Sequence, residues 1–286
     1  MKLIRFGNYG QEKPGIITTE GLWLDVSAFG EDYTESFFDN DGLKRLSVWL
    51  QDNHDNCPIL DQGIRLGSPI GRPSKIICIG LNYVDHARES NMAVPQEPIV
   101  FFKSTTALVG PNDALVIPRG SEKTDWEVEL GVVIGRKASY ITKEEALDYV
   151  AGYVLHTDYS ERAFQLERGG QWVKGKSCDT FAPVGPWLAT KEEIADVNSL
   201  RLILTVNGKT MQDGNTSNLI FDVPYIVSYL SEFMTLLPGD LISTGTPAGV
   251  GLGFNPPIYI KPGDVIEASI HGLGTNRQVA QAWQPA

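Results

Sequence analysis

The most informative stretch of the sequence is Thr124-Asp125-Trp126-Glu127-Val128-Glu129-Leu130-Gly131-Val132-Val133-Ile134. Its apolar and β-branched residues predict a β-strand. Because side chains alternate between the two faces of a strand, Glu127 and Glu129 share one face and Val128 points to the other. Two carboxylates beside an apolar strand resist desolvation unless a cation lies between them. The stretch is therefore interpreted as part of a site for Mg²⁺, Mn²⁺ or Ca²⁺, or else as the solvent-facing polar edge of a half-buried strand.

Composition and charge limit the partners of the chain. Its 286 residues are enough for one large or two unequal domains, and no tract is poor enough in apolar residues to indicate disorder. The formal net charge of −11 at pH 7 argues against nucleic acid and against anionic membranes as partners. A binding site for an anion therefore needs Lys, Arg or a metal ion nearby.

The cysteines show neither a zinc-binding nor a disulfide pattern. Cys57, Cys78 and Cys178 are widely spaced and odd in number, and no Cys/His cluster occurs. Met1–Gly7 predicts a strand rather than a signal peptide, and no apolar run approaches the roughly 18 residues that a membrane span needs. We therefore expect a cytoplasmic protein in a reducing setting.

Turn and strand signals predict an α+β chain that is predominantly β. Residues 1–68 are expected to form a small N-terminal α+β domain and residues 69–286 a larger one, with a polar linker at Gln62–Ser74. The clearest predicted strands are Leu3–Phe6, Gly15–Thr18, Leu22–Asp25 and Lys75–Gly80. The predicted helices are Leu43–Asn53, Asn82–Ser90, Lys143–Tyr149, Arg162–Glu167, Lys191–Asp196 and Val223–Phe233. Because strands and helices do not alternate regularly, a doubly wound sheet is not expected.

A third carboxylate follows the apolar segment Val150–His156. Asp158 lies where this predicted strand ends, which suits it to complete a set of three with Glu127 and Glu129. The alternative is that Asp158 is the N-cap of the following helix, because Asp is among the preferred residues at that position. Both interpretations stay open at this point.

The predicted helix that begins near Asn82 carries a second candidate group. It places His86 and Glu89 three residues apart on one face, so that a carboxylate can orient an imidazole and help it to activate water. The alternative is a surface helix with an incidental ion pair. The following residues, Asn91–Pro98, are expected to form a mobile loop.

Two further segments offer polar groups. Between positions 162 and 181, a helix that contains Gln165 gives way to a glycine-rich loop that contains Lys176, which could neutralise an anionic oxygen. The loop Ser243–Gly251 supplies backbone donors, as a phosphate cradle does. It lacks the lysine signature and the βαβ unit of a nucleotide site, so we do not expect one.

Taken together, these segments resemble the fumarylacetoacetate hydrolase family. The matching pieces occur in family order over roughly residues 70–285: Gly80-x-Asn82-Tyr83-x-x-His86-x-x-Glu89, Phe101-Phe102-Lys103, Glu127-x-Glu129-Leu130-Gly131, the series Asp158, Gln165, Lys176-Ser177, and Thr244-Gly245-Thr246-Pro247-x-Gly249-Val250-Gly251. The resemblance implies a mixed β-roll catalytic domain at residues 69–286, usually in a homodimer. It also implies one Mg²⁺ or Mn²⁺ ion per subunit, held by Glu127, Glu129 and Asp158.

The resemblance further implies roles for individual side chains. His86 and Glu89, on a lid that orders when substrate binds, would activate water. Lys176 and Gln165 would stabilise the oxyanion that forms. The residues expected to bind substrate are Tyr83, Lys103, Arg162 and Thr246.

The implied reaction is hydrolysis of a carbon–carbon bond in a 2,4-diketo acid, which yields pyruvate and a hydroxy acid. The passages 164–172 and 179–186 are most similar to enzymes acting on 2,4-diketo-3-deoxy sugar acids such as L-2,4-diketo-3-deoxyrhamnonate. Acylpyruvate hydrolysis, oxaloacetate decarboxylation, isomerisation and ureidoglycolate cleavage stay open as alternatives. A non-enzymatic divalent-ion-binding module is a further alternative, in which Glu127 and Glu129 are structural.

Overall fold

The computed structural model describes residues 1–89 and 92–285 of the chain. Three N-terminal strands form an antiparallel meander: β1 (Lys2–Phe6), β2 (Lys13–Ile17) and β3 (Trp23–Asp25). Two helices follow, α1 (Glu35–Asp39) and α2 (Gly42–Asn53). The three strands and the longer helix predicted from the sequence are confirmed. The shorter helix was not predicted, because five residues are too few to show a helical period.

Sixteen further strands and four further helices complete the described fold. The strands are β4 (Leu66–Gly67), β5 (Ile76–Gly80), β6 (Ile99–Lys103), β7 (Leu108–Val109), β8 (Leu115–Ile117), β9 (Thr124–Asp125), β10 (Val128–Ile134), β11 (Val150–Thr157), β12 (Ser160–Glu161), β13 (Ala182–Pro183), β14 (Leu188–Thr190), β15 (Arg201–Val206), β16 (Lys209–Asn215), β17 (Leu241–Ser243), β18 (Val265–Ile270) and β19 (Gly274–Ala282). The helices are α3 (Val84–Glu89), α4 (Arg162–Leu166), α5 (Val173–Lys176) and α6 (Val223–Phe233). Among the described residues, no helix is both long and apolar enough to cross a membrane.

The main sheet contains ten strands and includes the N-terminal meander. Its order is β3-β2-β1-β14-β11-β10-β17-β5-β6, with β4 also paired to β1. Neighbouring strands are antiparallel except for β17 and β5, which are parallel. The expectation of an α+β fold that is predominantly β is therefore confirmed.

The segment predicted as a linker, Gln62–Ser74, is in fact packed into the molecule. Its strand β4 pairs with β1, and its central residues from Leu66 to Gly71 are buried. The prediction of a linker is wrong here, because apolar residues within the polar stretch find a place against the sheet. The boundary predicted between residues 68 and 69 falls inside this packed segment, and the division into two domains stays a prediction.

A second sheet of five strands, in the order β16-β15-β18-β19-β8, packs across the first. Its strands β15 and β18 alternate between buried and less buried residues, as expected when one face meets a core. Leu204 and Ile266 from this sheet share one hydrophobic cluster with Leu130 and Leu155 from the main sheet. The central strands β10 and β11 are consequently buried along their whole length.

The stretch quoted first forms two strands rather than one. β9 ends at Asp125 and β10 begins at Val128, and the indole N–H of the intervening Trp126 donates to the Gly249 carbonyl at 3.0 Å. Glu127 and Glu129 are both buried. The alternative of a solvent-facing polar edge is therefore wrong, since β10 lies in the interior of the larger sheet.

The predicted helices are confirmed to different degrees. α6 matches its prediction at both ends, whereas α3 begins two residues later than expected. Two predicted helices are only single 3₁₀ turns, at Ala146–Tyr149 and Lys191–Glu193. Ser90, the predicted end of α3, lies outside the described residues, as does Asn91, the first residue of the predicted mobile loop.

Asn82 joins the approach to α3 to two distant segments. Its amide donates to the carbonyls of Thr244 at 2.8 Å and Phe221 at 3.1 Å, and its Oδ1 accepts from the Phe221 N–H at 2.8 Å. The side chain is fully buried. Asn82 therefore satisfies three backbone groups that the sheets leave without partners.

Replacing Asn82 by Ala is expected to lower the free energy of unfolding by about 2–4 kcal/mol, because buried backbone groups lose their partners. Urea unfolding followed by tryptophan fluorescence measures the change. The exposed Asn218 provides the control, and its replacement by Ala is expected to change the value by less than about 0.5 kcal/mol. Equal values for the two variants would contradict the structural role of Asn82.

Candidate active site

Three carboxylates converge where β10 and β11 meet. Glu127 precedes β10, Glu129 lies within it, and Asp158 follows β11. Because the two strands are antiparallel, the start of one lies beside the end of the other. One oxygen from each carboxylate lies within 4.8 Å of the others. The expected gathering of these three residues is confirmed.

Asp158 is not the N-cap of the following helix. The side chain of Glu161 takes that position and accepts a hydrogen bond from the Ala163 N–H at 3.1 Å. Both oxygens of Asp158 instead face lysine side chains. The alternative of a capping role is therefore wrong.

Three buried cations surround this carboxylate cluster. Lys176 Nζ lies 2.6 Å from Glu127 Oε2 and 2.8 Å from Asp158 Oδ2. Lys103 Nζ lies 2.5 Å from Asp158 Oδ1, and an Arg162 nitrogen lies 2.8 Å from Glu127 Oε1. Burial opposes ionisation of both carboxyls, but the cations outweigh it and hold the pKa of Asp158 well below its usual range and that of Glu127 below it.

Asp125 is a fourth buried carboxylate, and the sequence interpretation missed it. Its Oδ2 accepts from Arg162 Nε at 2.8 Å, which leaves the rest of the guanidinium to reach Glu127. It also accepts from the N–H groups of Gly251 at 2.6 Å and Leu252 at 3.0 Å. The sequence offers a sign of this carboxylate, because Asp125, Glu127 and Glu129 occupy every second position of the quoted stretch and so are expected on one face of a strand.

Glu129 differs from the other carboxylates, because the described residues give it no ion pair. It accepts from the Gly245 N–H at 2.9 Å and from the Ser243 hydroxyl. Burial raises the pKa of Glu129 to about 8, and the nearby negative charges of Asp158 and Glu127 add to this rise. This carboxyl therefore has the largest electrostatic need for a cation.

The donor set fits a hard divalent cation. Asp125, Glu127 and Asp158 balance the three cations Lys103, Lys176 and Arg162, so the cluster is neutral while Glu129 is protonated and carries one negative charge once Glu129 ionises. A divalent ion beside Glu129 would remove the cause of its raised pKa. Because the available ligands are oxygens only, the chemistry suits Mg²⁺ or Mn²⁺.

The helix α5 carries Lys176 into the cluster, and a glycine makes this possible. The segment 173–176 packs tightly against α4, so that a Cβ at Gly175 would lie 2.4 Å from the Glu161 carbonyl oxygen and 2.6 Å from the Gln165 nitrogen. Only glycine fits at this approach. The region predicted as a glycine-rich loop therefore contains a short helix that positions Lys176.

The predicted pair on α3 is formed. His86 Nδ1 lies 3.3 Å from Glu89 Oε2, and both side chains line a cavity of about 340 Å³. Glu89 also accepts from the Gly249 N–H at 3.0 Å. This last contact joins α3 to the glycine-rich loop after β17, so the pair is not an incidental surface ion pair.

The cavity collects most of the predicted site residues. Its lining includes eight of them: His86, Glu89, Glu127, Glu129, Arg162, Gln165, Lys176 and Thr246. Arg162 donates to the amide oxygen of Gln165 at 3.0 Å. The hydroxyl of Thr246 donates to the Val128 carbonyl at 2.9 Å and accepts from Gln212 at 2.7 Å, so it is already engaged.

Two residues expected to bind substrate do not line the cavity. Lys103 is fully enclosed, with its ammonium on Asp158 and on the Tyr159 carbonyl at 3.0 Å. Tyr83 is also buried, and its hydroxyl has no hydrogen-bond partner among the described residues. The geometry favours indirect roles for both, and their contact with substrate stays a prediction.

A sequence profile described as the fumarylacetoacetate (FAA) hydrolase C-terminal domain matches residues 75–280, more than half of the chain. The chain belongs to the fumarylacetoacetate hydrolase family. The family resemblance found in the motifs is thus confirmed, and the matched region contains every candidate site residue named above.

Individual relatives in this family include hydrolases and an isomerase. A Burkholderia multivorans protein, named provisionally as a hydrolase, is 50% identical over 283 residues and covers 99% of each chain. The structure of 2-hydroxyhepta-2,4-diene-1,7-dioate isomerase from Mycobacterium marinum is 32% identical, with a TM-score of 0.75 and coverage of 100% of both chains. Maleylpyruvate hydrolase from Sphingobium sp. SYK-6, solved with a manganese(II) ion and pyruvate, is 28% identical, with a TM-score of 0.82 and coverage of 99% of this chain and 100% of the other.

These similarities confirm the fumarylacetoacetate-hydrolase-type fold and indicate an enzyme of the hydrolase and isomerase kind. They also support a divalent metal site, because one neighbour binds manganese and this chain has the three-carboxylate cluster. Neither the sugar-acid substrate nor the choice between Mg²⁺ and Mn²⁺ is tested by them.

Metal binding is expected to release a proton from Glu129. With a pKa of about 8 in the metal-free protein, this carboxyl is mostly neutral at pH 7 and must ionise to bind a cation. Apparent affinity is therefore expected to fall up to about tenfold for each pH unit below 8. Before metal is added, the neutral carboxyl contributes stability that is fully present below the ordinary pKa of 4.5, falls as the pH rises above that value and is lost above about pH 8.

Calorimetric titration with Mn²⁺ in two buffers of different ionisation enthalpy measures the released protons. Close to one proton per ion is expected at pH 7 and close to none above about pH 9. The Glu122→Gln variant, changed at an exposed carboxyl, is expected to release the same number of protons as the wild type. An apparent enthalpy that does not depend on the buffer would contradict the raised pKa.

Proposed function

We propose that this protein is a divalent-metal-dependent hydrolase that cleaves a carbon–carbon bond of a 2,4-diketo acid and releases pyruvate. The observation that carries the proposal is a cavity lined by the His86–Glu89 pair and by two carboxylates of the cluster, Glu127 and Glu129, with Asp158 buried beside them. The structure of maleylpyruvate hydrolase with manganese(II) and pyruvate supports the same class of reaction.

The proposed metal ligands are Glu127, Glu129 and Asp158, with one Mg²⁺ or Mn²⁺ ion per subunit. When bound, the ion would supply a Lewis acid for the carboxylate and 2-oxo oxygens of the substrate. With Glu129 ionised and the ion bound, the cluster would carry one net positive charge, whereas it is neutral at pH 7 without the ion. A buried positive charge favours an anionic substrate in a protein whose overall net charge is −11.

His86 is proposed as the base that takes a proton from water as the water attacks the C4 carbonyl. Glu89 lies beside His86 and is itself held by the Gly249 N–H, so it can fix the orientation of the imidazole. A carboxylate partner also stabilises the imidazolium that results. The proton can then return to the carbon product.

Lys176 and Gln165 are proposed to stabilise the oxyanion at C4. Two of the three ammonium N–H groups of Lys176 contact Glu127 and Asp158, and residues 1–89 and 92–285 offer no hydrogen-bond acceptor to the third, which is proposed to donate to substrate. The Gln165 oxygen is occupied by Arg162, so its NH₂ group is the part that can donate. Cleavage of the C3–C4 bond then leaves its electron pair on the pyruvate enolate, which is protonated at C3, while C4 becomes a carboxylate.

Within the diketo acids, we propose a 2,4-diketo-3-deoxy sugar acid such as L-2,4-diketo-3-deoxyrhamnonate as substrate. The support is the similarity of the passages 164–172 and 179–186 described above. We also propose a cytoplasmic homodimer, on family likeness. Isomerisation is the second candidate, because an isomerase is among the similar structures, and it would convert substrate without release of pyruvate.

Replacing His86 by Gln is expected to lower kcat for pyruvate release by about 10²–10⁴-fold, because general base catalysis is lost. Release from a 2,4-diketo acid is followed with lactate dehydrogenase, and Mn²⁺ affinity is measured in parallel and is expected to stay unchanged. His54→Gln is the control, since His54 is exposed. An unchanged rate would remove His86 from the mechanism, and retained decarboxylation of oxaloacetate would favour that alternative reaction.

Replacing Glu129 by Gln is expected to remove bound metal and pyruvate release together, because the substitution keeps the shape but removes the ligand charge. Metal content after desalting is measured by mass spectrometry, and release is measured with and without added Mn²⁺. The exposed Glu122 provides a matched Glu→Gln control. Full activity in a metal-free Glu129→Gln variant would refute the metal-dependent function.

A further inference from the structure

The cavity is lined by apolar side chains as well as by charged groups. The apolar lining includes Ile79, Leu81, Phe101, Leu166, Trp172 and Val250. In the reaction proposed above, the carboxylate, the 2-oxo group and the C4 oxygen need polar partners. The apolar walls serve none of these groups, so they are available for the part of the substrate beyond C4.

Trp172 is fixed in this wall by packing and by hydrogen bonds. Its ring lies edge-on to Phe101, with 5.4 Å between centroids and 66° between planes. It covers Gly80 so closely that a Cβ at that residue would lie 2.7 Å from ring carbon Cζ3. Its carbonyl accepts from the N–H groups of Gly175 at 2.9 Å and Lys176 at 3.1 Å, so α5 continues directly from it. The indole is thus a preformed surface.

This surface is adjacent to the group proposed to contact C4. The hydrogen bond between the Lys176 N–H and the Trp172 carbonyl places the two residues about one helical turn apart on the same face, a rise of about 6 Å. Lys176 Nζ lies 5.0 Å from the centroid of the Phe101 ring. In the binding mode proposed above, a chain that extends from C4 past Lys176 would reach Phe101 and then the Trp172 ring that packs against it.

We propose that Trp172, backed by Phe101, selects the acyl end of the substrate and favours a diketo acid that ends in a methyl group over one that ends in a hydroxymethyl group. This inference rests on the proposed function, which sets the direction in which the substrate lies. A hydroxyl packed on the faces of these rings loses water without gaining a hydrogen-bond partner, whereas a methyl group is better buried there. Trp172 is accordingly a specificity-determining residue.

The first test compares two substrates that differ by one terminal oxygen. 5-Hydroxy-2,4-dioxohexanoate ends in a methyl group, and 5,6-dihydroxy-2,4-dioxohexanoate ends in a hydroxymethyl group. With the Mn²⁺-loaded protein, kcat/KM for pyruvate release is expected to be at least about tenfold higher for the first, the size of effect that an unpartnered buried hydroxyl causes. Equal values, or a preference for the second, would overturn the proposal while leaving the proposed hydrolase function intact.

Variants show whether Trp172 is the cause. Trp172→Gln, which offers an amide to the terminal hydroxyl, is expected to reduce the ratio of the two kcat/KM values to about three or less. Trp187→Gln is the control, because Trp187 lies outside the cavity with its indole N–H on the Gly272 carbonyl, and it is expected to keep the wild-type ratio. If Trp172→Gln lowers both values by the same factor, Trp172 is only structural and the proposal fails.

A binding measurement separates this inference from the proposed reaction. N-propyl oxamate ends in a methyl group and N-(3-hydroxypropyl) oxamate ends in a hydroxymethyl group, as the two substrates do. Neither compound has a C4 carbonyl, so neither can undergo the cleavage. Calorimetry on the Mn²⁺-loaded protein is expected to show at least about tenfold tighter binding of the propyl compound, and Trp172→Gln is expected to remove the difference. If the propyl compound binds more tightly but no diketo acid releases pyruvate, the hydrolase function is rejected and the role of Trp172 is retained. If the two compounds bind equally tightly, the role of Trp172 is rejected.

Discussion

The burial of carboxylates beside the central strands is the constraint on which the rest of the site depends. Asp125, Glu127, Glu129 and Asp158 are all removed from water, which is costly for charged groups unless cations accompany them. Lys103, Lys176 and Arg162 supply three charges, and each lies within hydrogen-bonding distance of a carboxylate oxygen. Glu129 is the carboxylate to which the described residues give no ion pair, and its burial raises its pKa. A metal ion at the proposed site would offset the charge of an ionised Glu129 and would also supply the proposed Lewis acid.

The same constraint explains why short, irregular segments surround the site. Lys176 reaches the cluster only because α5 approaches α4 closely at Gly175, and Arg162 reaches it because Asp125 holds the other side of its guanidinium. Glu89 brings α3 onto the loop after β17. These contacts link segments far apart in the chain, so the cavity, its cations and its proposed base form one connected unit around the carboxylates.

Prediction from the sequence succeeded where local periodicity carried the information. The β10 region, the helix α6 and the Glu127–Glu129 alternation could all be recognised from residue type and spacing. It failed where packing overrode composition. The polar stretch after Gln62 has the composition of a linker, but it is buried around Ile70. The role of Asp125 depends on hydrogen bonds from Arg162 and Gly251, which lie far away in the sequence.

The sequence alone identified most of the candidate groups, because ordered motifs contain three carboxylates, the His86–Glu89 pair and Lys176, and because strand alternation places Glu127 and Glu129 on one face. Only the tertiary structure decided which of these groups meet. It enclosed Lys103 behind Asp158 and set Trp172 against Gly80 and Phe101. Such contacts depend on the pairing and packing of distant strands, and no local pattern in the chain encodes those distances.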